Sequence, residues 1–316
     1  MTYVYFLNVI QGLEAMVDFS IFDLTGKTAL VTGGTVGIGR ACATALAMAG
    51  ANVVIAARGQ RLGEKTAESL RVLGVKSLFI ACDVSNEAQV QAMIAKVVEA
   101  FGQLDIAVNN AGIGVVSDED EIFPKNEWDK LMAINLDGLW LCAKYQAQQM
   151  IKQTPTEGKI INISSIAGVV SLPMSNGAYD ASKSAVIHLT KQLALQWGRF
   201  NINVNSISPS YVLTPMMSRT TLEFRQRIRD TTPMGHIQRP EDLYGPILYL
   251  ASAASDYMTG QNMVIDGGHT LGPWIEPARD RFAPPRISIE QELVEMKKDL
   301  DAMGIAYDEN GQVNAA

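Results

Sequence analysis

Short apolar runs alternate along this chain with longer segments of helical periodicity, and this alternation limits the folds available to it. The apolar runs are predicted strands, at residues 29–32, 53–56, 77–81, 105–109, 159–164, 203–208 and 263–266. They are apolar throughout, which is typical of strands buried on both faces of a sheet. Helices are predicted at residues 38–49, 86–101, 127–152, 178–197 and 240–252. Strand, helix and strand in repeated succession indicate an α/β fold, a doubly wound parallel sheet of about seven strands with helices on both faces.

Length and composition favour one large domain with an extension at each end. With 316 residues and 47% hydrophobic content, the chain has ample material for a single core. We expect an N-terminal arm at residues 1–24, the α/β domain at 25–271, and a linker with an amphipathic helix at 272–316. The opening apolar run, TYVYFLNVI, is too short to span a membrane and lacks the flanking pattern of a signal peptide. No membrane contact is therefore predicted.

Charge and the distribution of cysteine and histidine exclude several classes of function. The formal net charge is −7 with only 26 lysines and arginines, so we expect no nucleic-acid partner. The cysteines form no C-x-x-C pair, which favours reduced core residues and a cytoplasmic location. The histidines are scattered singly, so no metal site is predicted. These residues are Cys42, Cys82 and Cys142, and His188, His236 and His269.

A glycine-rich loop follows the first predicted strand. The stretch ALVTGGTVGIGR passes through Gly33, Gly37 and Gly39 into the first predicted helix. Glycines let the backbone approach a pyrophosphate closely, and the N–H groups at the start of the helix can then bind it. In a doubly wound sheet, such a loop lies at the carboxyl ends of the strands, where ligands bind. The sequence therefore predicts a dinucleotide site.

Several motifs beyond this loop resemble those of the short-chain dehydrogenase/reductase family. The glycine spacing T-G-x-x-x-G-x-G, the segment NNAG at 109–112, and the pair Tyr179 and Lys183 in GAYDASK agree with its pattern. So do Ser165, Asn135 in MAINLDG, and the later stretches SPSYVLTP and TGQNMVIDGG. The resemblance covers residues 25–271. It implies a Rossmann-like fold, a nicotinamide cofactor and a reaction that interconverts a carbonyl compound and an alcohol.

The resemblance also implies which residues form the site. The implied catalytic residues are Asn135, Ser165, Tyr179 and Lys183. The implied cofactor-binding residues are Thr32, Gly33, Thr35, Gly37, Ile38, Gly39, Arg58, Asp83, Val84, Asn110, Ala111, Gly112, Tyr179, Lys183, Pro209, Val212 and Thr214. It further implies a homo-oligomer, a dimer or tetramer, in which helices 127–152 and 178–197 form a four-helix interface.

The chain departs from the family pattern at two points. Ser165 lies 14 positions before Tyr179, one more than is usual, so either a bulge in SLPMSNG takes up the extra residue or Ser164 is the catalytic serine. Ser210 stands where the family has a glycine after proline, which is expected to change the loop beside the nicotinamide.

The spacing of Tyr179 and Lys183 has a chemical reason. Residues four apart on a helix lie on one face, so the Lys183 ammonium can stand near the Tyr179 phenol. Reducing a ketone requires a proton for its oxygen, and a tyrosine pKa of about 10 makes the phenol a reluctant donor. We expect the Lys183 cation to lower the Tyr179 pKa. Ser165 would bind the carbonyl oxygen, and Asn135 would hold a proton path through water.

The end of the second strand indicates which nicotinamide is bound. An acidic residue there would bind the ribose 2′-hydroxyl and repel a 2′-phosphate. That position is Ala57, followed by Arg58, with Arg40 and Arg61 close in sequence to the same pocket. NADP(H) is therefore favoured. NAD(H) stays the alternative, in which Arg58 stacks on the adenine.

The substrate is less constrained. Residues 211–238 should cover the pocket, with Met216 and Met217 as an apolar lining. The sequence looks most like sugar, polyol and gluconate dehydrogenases. The first alternative is a 3-oxoacyl thioester reductase of fatty-acid type. Against it, the acidic run SDEDE at 117–121 would repel an acidic carrier protein if it borders the entrance to the pocket. The simpler interpretation of this run is a solvated loop. The second alternative is a non-catalytic cofactor-binding sensor.

The C-terminal extension contains one further predicted helix. Ser288 is a candidate N-cap and Gly304 a candidate C-cap. Between them an apolar seam recurs at helical spacing, formed by Ile289, Leu293, Met296, Leu300 and Met303. We expect this helix to dock on the domain or on a neighbouring subunit, with Trp274 approaching the substrate pocket. Removal of the extension should then lower stability or weaken the oligomer without affecting the cofactor.

Overall fold

All seven predicted strands pair in one parallel sheet, in the order β3-β2-β1-β4-β5-β6-β7. In this computed structural model, which describes residues 19–114, 119–172, 175–272 and 287–313, the strands are β1 Thr28–Thr32, β2 Asn52–Ala57, β3 Ser77–Ala81, β4 Ile106–Asn109, β5 Gly158–Ile163, β6 Ile202–Pro209 and β7 Asn262–Ile265. The strand order reverses between β1 and β4. Ligands bind at such switch points, so the fold itself defines a crevice at the carboxyl ends of β1 and β4.

The helices pack on both faces of this sheet. They are α1 Gly37–Met48, α2 Gln60–Arg71, α3 Glu87–Phe101, α4 Lys125–Met132, α5 Leu139–Lys152, α6 Gly177–Trp197, α7 Leu222–Thr231, α8 Tyr244–Ala251 and α9 Ile289–Met303. Apolar side chains of α1 and α8 form the core on one face. Those of α3, α5 and α6 form it on the other. The expected doubly wound α/β fold is confirmed.

Three local predictions need correction. The helix expected at 127–152 is interrupted by a π-helical segment, Ala133–Gly138, between α4 and α5. The helix expected at 240–252 begins with a 3-10 turn, Pro240–Leu243, before α8. The strand β7 was expected to be buried on both faces, but it is the edge of the sheet and Val264 is exposed. The other strands and helices agree with their predictions to within a few residues.

Two helices, α2 and α7, were not predicted. The sequence of α2, QRLGEKTAESLR, is largely polar and has a glycine in its middle, which lowers helix propensity. The structure explains that glycine, because a methyl group at Gly63 would lie 2.1 Å from the Phe79 ring on β3. Helix α7 lies in the segment after β6 that was expected to cover the substrate pocket.

The helix expected in the C-terminal extension is α9, and its caps are those predicted. Ser288 and Gln291 form a capping box, and Gly304 ends the helix in the left-handed conformation at φ 70°. Met296 and Leu300 are buried, whereas Ile289 at the start of the seam is half exposed. The helix docks on its own chain, where Met296 packs with Leu213, Met217, Ile228 and Ile237.

Polar contacts tie this C-terminal region to α7. Arg229 Nε donates to Glu292 Oε2 at 2.7 Å, and Arg225 Nη1 donates to the Asn310 carbonyl at 2.8 Å. The Val313 N–H donates to the Ser218 carbonyl at 3.1 Å. Glu292 and Asp299 are buried on α9, which the apolar seam did not predict. The linker and Trp274 lie outside the described residues.

The prediction for the cysteines is confirmed. Cys42, Cys82 and Cys142 are free and buried in the core. The described residues contain no group of side chains with the composition of a metal site, and none of their helices is long and apolar enough to cross a membrane. Leu24, placed in the N-terminal arm, is buried and donates its N–H to the Ala49 carbonyl, so it packs with the domain.

Candidate active site

The glycine loop lies between β1 and α1 and is shaped by close backbone contacts. A methyl group at Gly39 would lie 2.2 Å from the Gly33 carbonyl and 2.4 Å from Asn110 Nδ2. Gly37 takes φ +53°, and a methyl group there would lie 2.7 Å from Thr214 Cγ2. Only glycine fits these positions without displacing backbone. The loop therefore holds the first N–H groups of α1 at the crevice between β1 and β4.

The NNAG segment supports the loop from the neighbouring strand. Asn110 Nδ2 donates to the carbonyls of Thr32 and Gly33, both at 3.1 Å. Thr32 Oγ1 accepts in return from the N–H groups of Asn110 and Ala111. These bonds fix the ends of β1 and β4 to each other across the switch point.

The other predicted cofactor residues surround the same crevice. Thr35 and Ile38 belong to the loop and the first turn of α1, and Pro209, Val212 and Thr214 follow at and beyond the end of β6. Asp83 and Val84 follow β3. A hydrogen bond from Ser85 is the main cause of the lowered pKa of Asp83, and the charge of Arg58 adds to it. Arg58 therefore lies near Asp83, at the end of the crevice where adenosine is expected.

These residues fit a nicotinamide dinucleotide. The space left open by the glycines, the start of a 12-residue helix beside it and a basic side chain beyond β2 match its diphosphate and its adenosine end. Arg40 and Arg61, which were expected near the same pocket, are engaged by the C-terminal helix instead. Arg40 pairs with Asp299, and Arg61 Nη2 donates to the Met303 carbonyl at 3.4 Å.

The predicted catalytic residues of β5 and α6 are brought together. Ser165 follows β5, and its side chain lies close enough to the Tyr179 phenol to oppose the rise of its pKa. Lys183 Nζ lies 5.7 Å from the centre of the Tyr179 ring and donates to the Ile163 carbonyl at 3.0 Å. Ser164 Oγ instead donates to the Lys183 carbonyl at 2.8 Å and is buried. Of the two candidate serines, Ser165 is therefore the one beside the phenol.

Burial governs the charge states of this pair. Burial raises the pKa of Tyr179, and the hydrogen bond from Ser165 opposes that shift only in part. Burial also lowers the pKa of Lys183 to about 8. Lys183 was expected to lower the Tyr179 pKa, but in the structure burial dominates and the pKa is raised. The tyrosine is thus held in its protonated form.

The lowered pKa of Lys183 predicts that the stability of the protein depends on pH. Between pH 8 and the ordinary lysine pKa of about 10.5, the unfolded chain holds a proton that folded Lys183 has lost, so the free energy of unfolding rises with pH. Relative to Lys183→Met, the wild type should gain about 2 kcal/mol between pH 7 and 9.5. Urea denaturation across this range measures it. Lys191→Met, at an exposed position on α6, is the control and should leave the wild-type profile unchanged; a Lys183→Met profile parallel to the wild type would contradict the prediction.

Asn135 lies in the π-helical segment rather than in a regular helix. Its side chain accepts from the Ile113 N–H at 2.8 Å and donates to the Ile113 carbonyl at 2.9 Å. A methyl group at Gly112 would lie 3.3 Å from Asn135 Oδ1 and 3.7 Å from Lys183 Nζ, so both side chains lie close to Gly112. A π segment often marks a functional position in a helix, and here it directs Asn135 toward the lysine.

The sequence analysis missed the residues that fix α6. Asn176 Oδ1 accepts from the Tyr179 N–H at 2.8 Å, and both carboxylate oxygens of Asp120 accept from the Gly177 N–H. Asp120 belongs to the acidic run SDEDE, whose residues 117 and 118 lie outside the described chain. Asn176 before a helical pattern was a recognisable N-cap signal, whereas the contact of Asp120 spans 57 positions and has no local signal.

A buried amide network lies beneath the site and was also missed. Asn109 Nδ2 donates to Gln146 Oε1 and to Asn162 Oδ1, both at 3.0 Å, and Asn162 Nδ2 donates to Thr190 Oγ1 at 3.0 Å. All four side chains are buried. They connect β4, β5, α5 and α6 directly under the catalytic residues, where satisfied polar groups fix one arrangement of the core.

The segment after β6 differs in part from its prediction. Met217 is buried in the cluster under α9, so it does not line a pocket, whereas Met216 is half exposed and contacts Gly114. A cavity of about 250 Å³ lies beside Tyr211; its walls are largely apolar but carry polar groups from Ser210, His236, Gln238 and Asp266. Burial raises the pKa of Tyr211 to about 12, and the nearby Asp180 and Tyr179 add to the shift.

The two departures from the family pattern have different outcomes. The Ser210 N–H donates to Gln238 Oε1 at 3.0 Å, and among the described non-glycine residues only Asn201 has a positive φ. Position 210 therefore does not require glycine. The bulge expected in SLPMSNG includes residues 173 and 174, which lie outside the described chain, and it stays a prediction.

Comparison with known proteins agrees with this geometry. Residues 33–270 match the family model described as enoyl-(acyl carrier protein) reductase. The chain is 41% identical over 252 residues to the NADP-dependent (R)-specific alcohol dehydrogenase of Lentilactobacillus kefiri, covering 78% of this chain and 98% of that protein. It resembles a short-chain type dehydrogenase/reductase from Mycobacterium marinum with a TM-score of 0.75 and 39% identity, covering 81% of this chain and all of that one.

A third similar protein is a gluconate 5-dehydrogenase from Burkholderia cenocepacia, solved in complex with NADP and tartrate. It has a TM-score of 0.76 and 36% identity, and the match covers 80% of this chain and 98% of that one. Fold, site and comparisons together show that the chain belongs to the short-chain dehydrogenase/reductase family. Helix α9 lies beyond the residues that the family model matches.

Proposed function

We propose that this protein is an NADP(H)-dependent oxidoreductase that interconverts a ketone and a secondary alcohol, with a sugar, polyol or similar small carbonyl compound as substrate. One observation carries the proposal. The Tyr179 phenol lies beside Ser165 and Lys183, at the same edge of the sheet as the glycine loop. This arrangement supplies a proton donor next to a site for a dinucleotide.

The chain's own residues would manage the proton. The bound nicotinamide supplies or accepts the hydride. Tyr179, held protonated by burial, donates its proton to the ketone oxygen during reduction and takes it back during oxidation. Ser165 Oγ binds the same oxygen and stabilises the negative charge that develops there. Lys183 stabilises the phenolate left on Tyr179, and its pKa of about 8 lets it exchange a proton near neutral pH. Asn135 holds the path to Lys183 beside Gly112.

The choice of NADP(H) rests on charge. Arg58 follows β2 and is exposed near Asp83, while Ala57 leaves no carboxylate to repel a 2′-phosphate. Two of the similar proteins are named or solved with NADP, which supports the same cofactor here. NAD(H) is the alternative.

A polar substrate is supported by the cavity beside Tyr211. Its hydroxyl, amide, imidazole and carboxylate groups can bind several hydroxyl groups of a polyol, and Tyr179 lies close enough to Tyr211 to contribute to the raised pKa of Tyr211. The similarity to a gluconate 5-dehydrogenase points the same way. A thioester reductase of fatty-acid type is the alternative. It is supported by the matching family model, which is described as an enoyl-(acyl carrier protein) reductase. The free, buried cysteines suit action in the cytoplasm.

A substrate panel tests this function. NADPH oxidation, followed by absorbance, should be measured against ketoses, keto-acids of sugars, simple ketones and a 3-oxoacyl thioester. We expect turnover with a polyhydroxylated ketone. Turnover only with the thioester would favour the alternative enzyme, and tight NADPH binding without turnover of any substrate would favour a non-catalytic sensor.

We also propose that the protein is a homo-oligomer, a dimer or tetramer. Trp140 on α5 and Leu195 on α6 are exposed, Leu195 by 80%, on the two helices that the family resemblance assigns to the interface. Sedimentation at micromolar concentration should give a dimer or tetramer, and Leu195→Glu should shift it toward the monomer. Val72→Glu is the control, because Val72 is equally exposed but directly follows α2, which connects β2 and β3 at the other edge of the sheet. A wild-type monomer would contradict the proposal.

A further inference from the structure

The C-terminal helix reaches the start of α1, inside the predicted cofactor site. Asp299 Oδ2 accepts from the Gly37 N–H at 2.8 Å. Its other oxygen, Oδ1, lies 2.6 Å from Arg40 Nη2, and only 3% of the Asp299 side chain is exposed. A carboxylate from the end of the chain thus occupies the first free N–H of the helix that follows the glycine loop.

The loop itself supplies no such acceptor. Val36 is the N-cap residue of α1 and has no side-chain oxygen to bind the free N–H groups there. Asp299 acts as the cap from 262 positions away. The start of a helix attracts anions through these N–H groups and through the helix dipole, and the diphosphate of a dinucleotide binds in the same way.

Asp299 is held in place by contacts that lie away from the loop. On the same helix, Glu292 binds Arg229 and accepts from the Ile237 N–H at 2.9 Å. Met296, between these two carboxylates, and Leu300, next to Asp299, are both buried. The position of Asp299 therefore follows from the docking of α9 and is not a contact of a free side chain.

One of the two carboxylate oxygens of Asp299 lacks a hydrogen bond. Oδ1 is buried and close to Arg40 but makes no hydrogen bond within the described chain. Burial raises the pKa of Asp299, against the opposing effects of Arg40 and the Gly37 N–H. The contacts with Arg40 and the Gly37 N–H offset the cost of burying this carboxylate, and a phosphate group at the same position could replace both of them.

We propose that Asp299 competes with the cofactor's diphosphate for the start of α1, so that the C-terminal helix sets the affinity for the dinucleotide. The proposal rests on the proposed function. A carboxylate and a diphosphate cannot share these N–H groups without strong repulsion, so binding of the cofactor requires Asp299 to withdraw from Gly37. Withdrawal also frees the Arg40 guanidinium, which can then pair with a phosphate. The earlier expectation that the extension has no effect on the cofactor is replaced by this one.

Dissociation constants for NADPH and NADH test the proposal. Asp299→Asn keeps an oxygen that can accept from the Gly37 N–H but removes the charge. It should bind both cofactors about tenfold or more tightly than the wild type, a typical size for coupling between two binding events. Binding is followed by the fluorescence of the reduced cofactor at fixed ionic strength. Asp301→Asn, which removes the same charge at an exposed position two residues along α9, should stay within about twofold of the wild type.

A second measurement needs no variant. Hydrogen exchange of residues 289–303 in the wild-type protein should become faster when NADPH saturates it, because α9 loses its contact with the loop. Unchanged or slower exchange would overturn the proposal, as would an Asp299→Asn affinity equal to or weaker than that of the wild type. If neither cofactor binds to any of these proteins, the proposed function fails as well; measurable but equal affinities would overturn the competition alone.

Discussion

Replacing Tyr179 with phenylalanine should lower kcat by about a thousandfold or more while leaving the dissociation constant for NADPH within about threefold of the wild type. The substitution keeps the ring, which is half-buried on α6, and removes only the hydroxyl that lies beside Ser165. General acid catalysis by a positioned group contributes about a hundredfold to ten-thousandfold. Steady-state kinetics on the best substrate of the panel, with cofactor titration, measures both quantities.

Tyr249→Phe is a matched control. Tyr249 lies on α8 and packs against the core on the face that α1 covers. It loses the same hydroxyl on the face of the sheet opposite α6, so kcat should be nearly unchanged. If Tyr179→Phe keeps most of its activity, Tyr179 is not the proton donor. If both variants lose activity together, the effect comes from stability and not from chemistry.

Arg58→Ala should weaken NADPH binding about thirtyfold or more and change NADH binding by less than about threefold. The 2′-phosphate distinguishes the two cofactors, and a hydrogen bond to a charged group contributes about 1.5–3 kcal/mol. Ala57→Asp should have the opposite selectivity, because a carboxylate at the end of β2 repels the 2′-phosphate and can bind the ribose hydroxyl of NADH. Fluorescence titration with each cofactor gives the four dissociation constants.

The control for this pair is Arg71→Ala. Arg71 lies at the far end of α2 and donates to the Ser77 carbonyl, away from the crevice. It removes one positive charge from the same region of the sequence without touching the site, so both affinities should be close to the wild type. An equal loss of NADPH and NADH in Arg58→Ala would mean that Arg58 contacts the part common to both cofactors, such as the adenine.

The elements whose structure is determined by residues close together in the chain were predicted from the sequence. Strands such as β2 and β5 are apolar on both faces, and this property is visible in a few consecutive residues. The caps of α9, Ser288 and Gly304, act within one turn of the helix, so their residue types identified them. The glycine loop was predictable for the same reason, since its spacing reflects contacts within one βα unit.

Features that depend on distant residues were not predicted. Gly63 obscured α2, because the reason for that glycine is the Phe79 ring on the next strand. The break at Ala133–Gly138 keeps a helical pattern in sequence and differs only in its hydrogen bonds. Ser164 and Ser165 are equivalent candidates by sequence, and only the folded positions of Lys183 and Tyr179 separate them. Asp299 lies off the apolar seam and resembles a solvated charge until α9 docks.

The anchoring of the chain's end by Val313 has a practical consequence for work on this protein. The Val313 N–H is bonded to the Ser218 carbonyl, just before α7, and Asn310 is bonded to the buried Arg225. A substitution or insertion near Val313 would therefore disturb the segment that covers the proposed substrate cavity. Loss of turnover in such a variant would come from a displaced α7 and not from the catalytic residues, so cofactor affinity and thermal stability should be measured beside it.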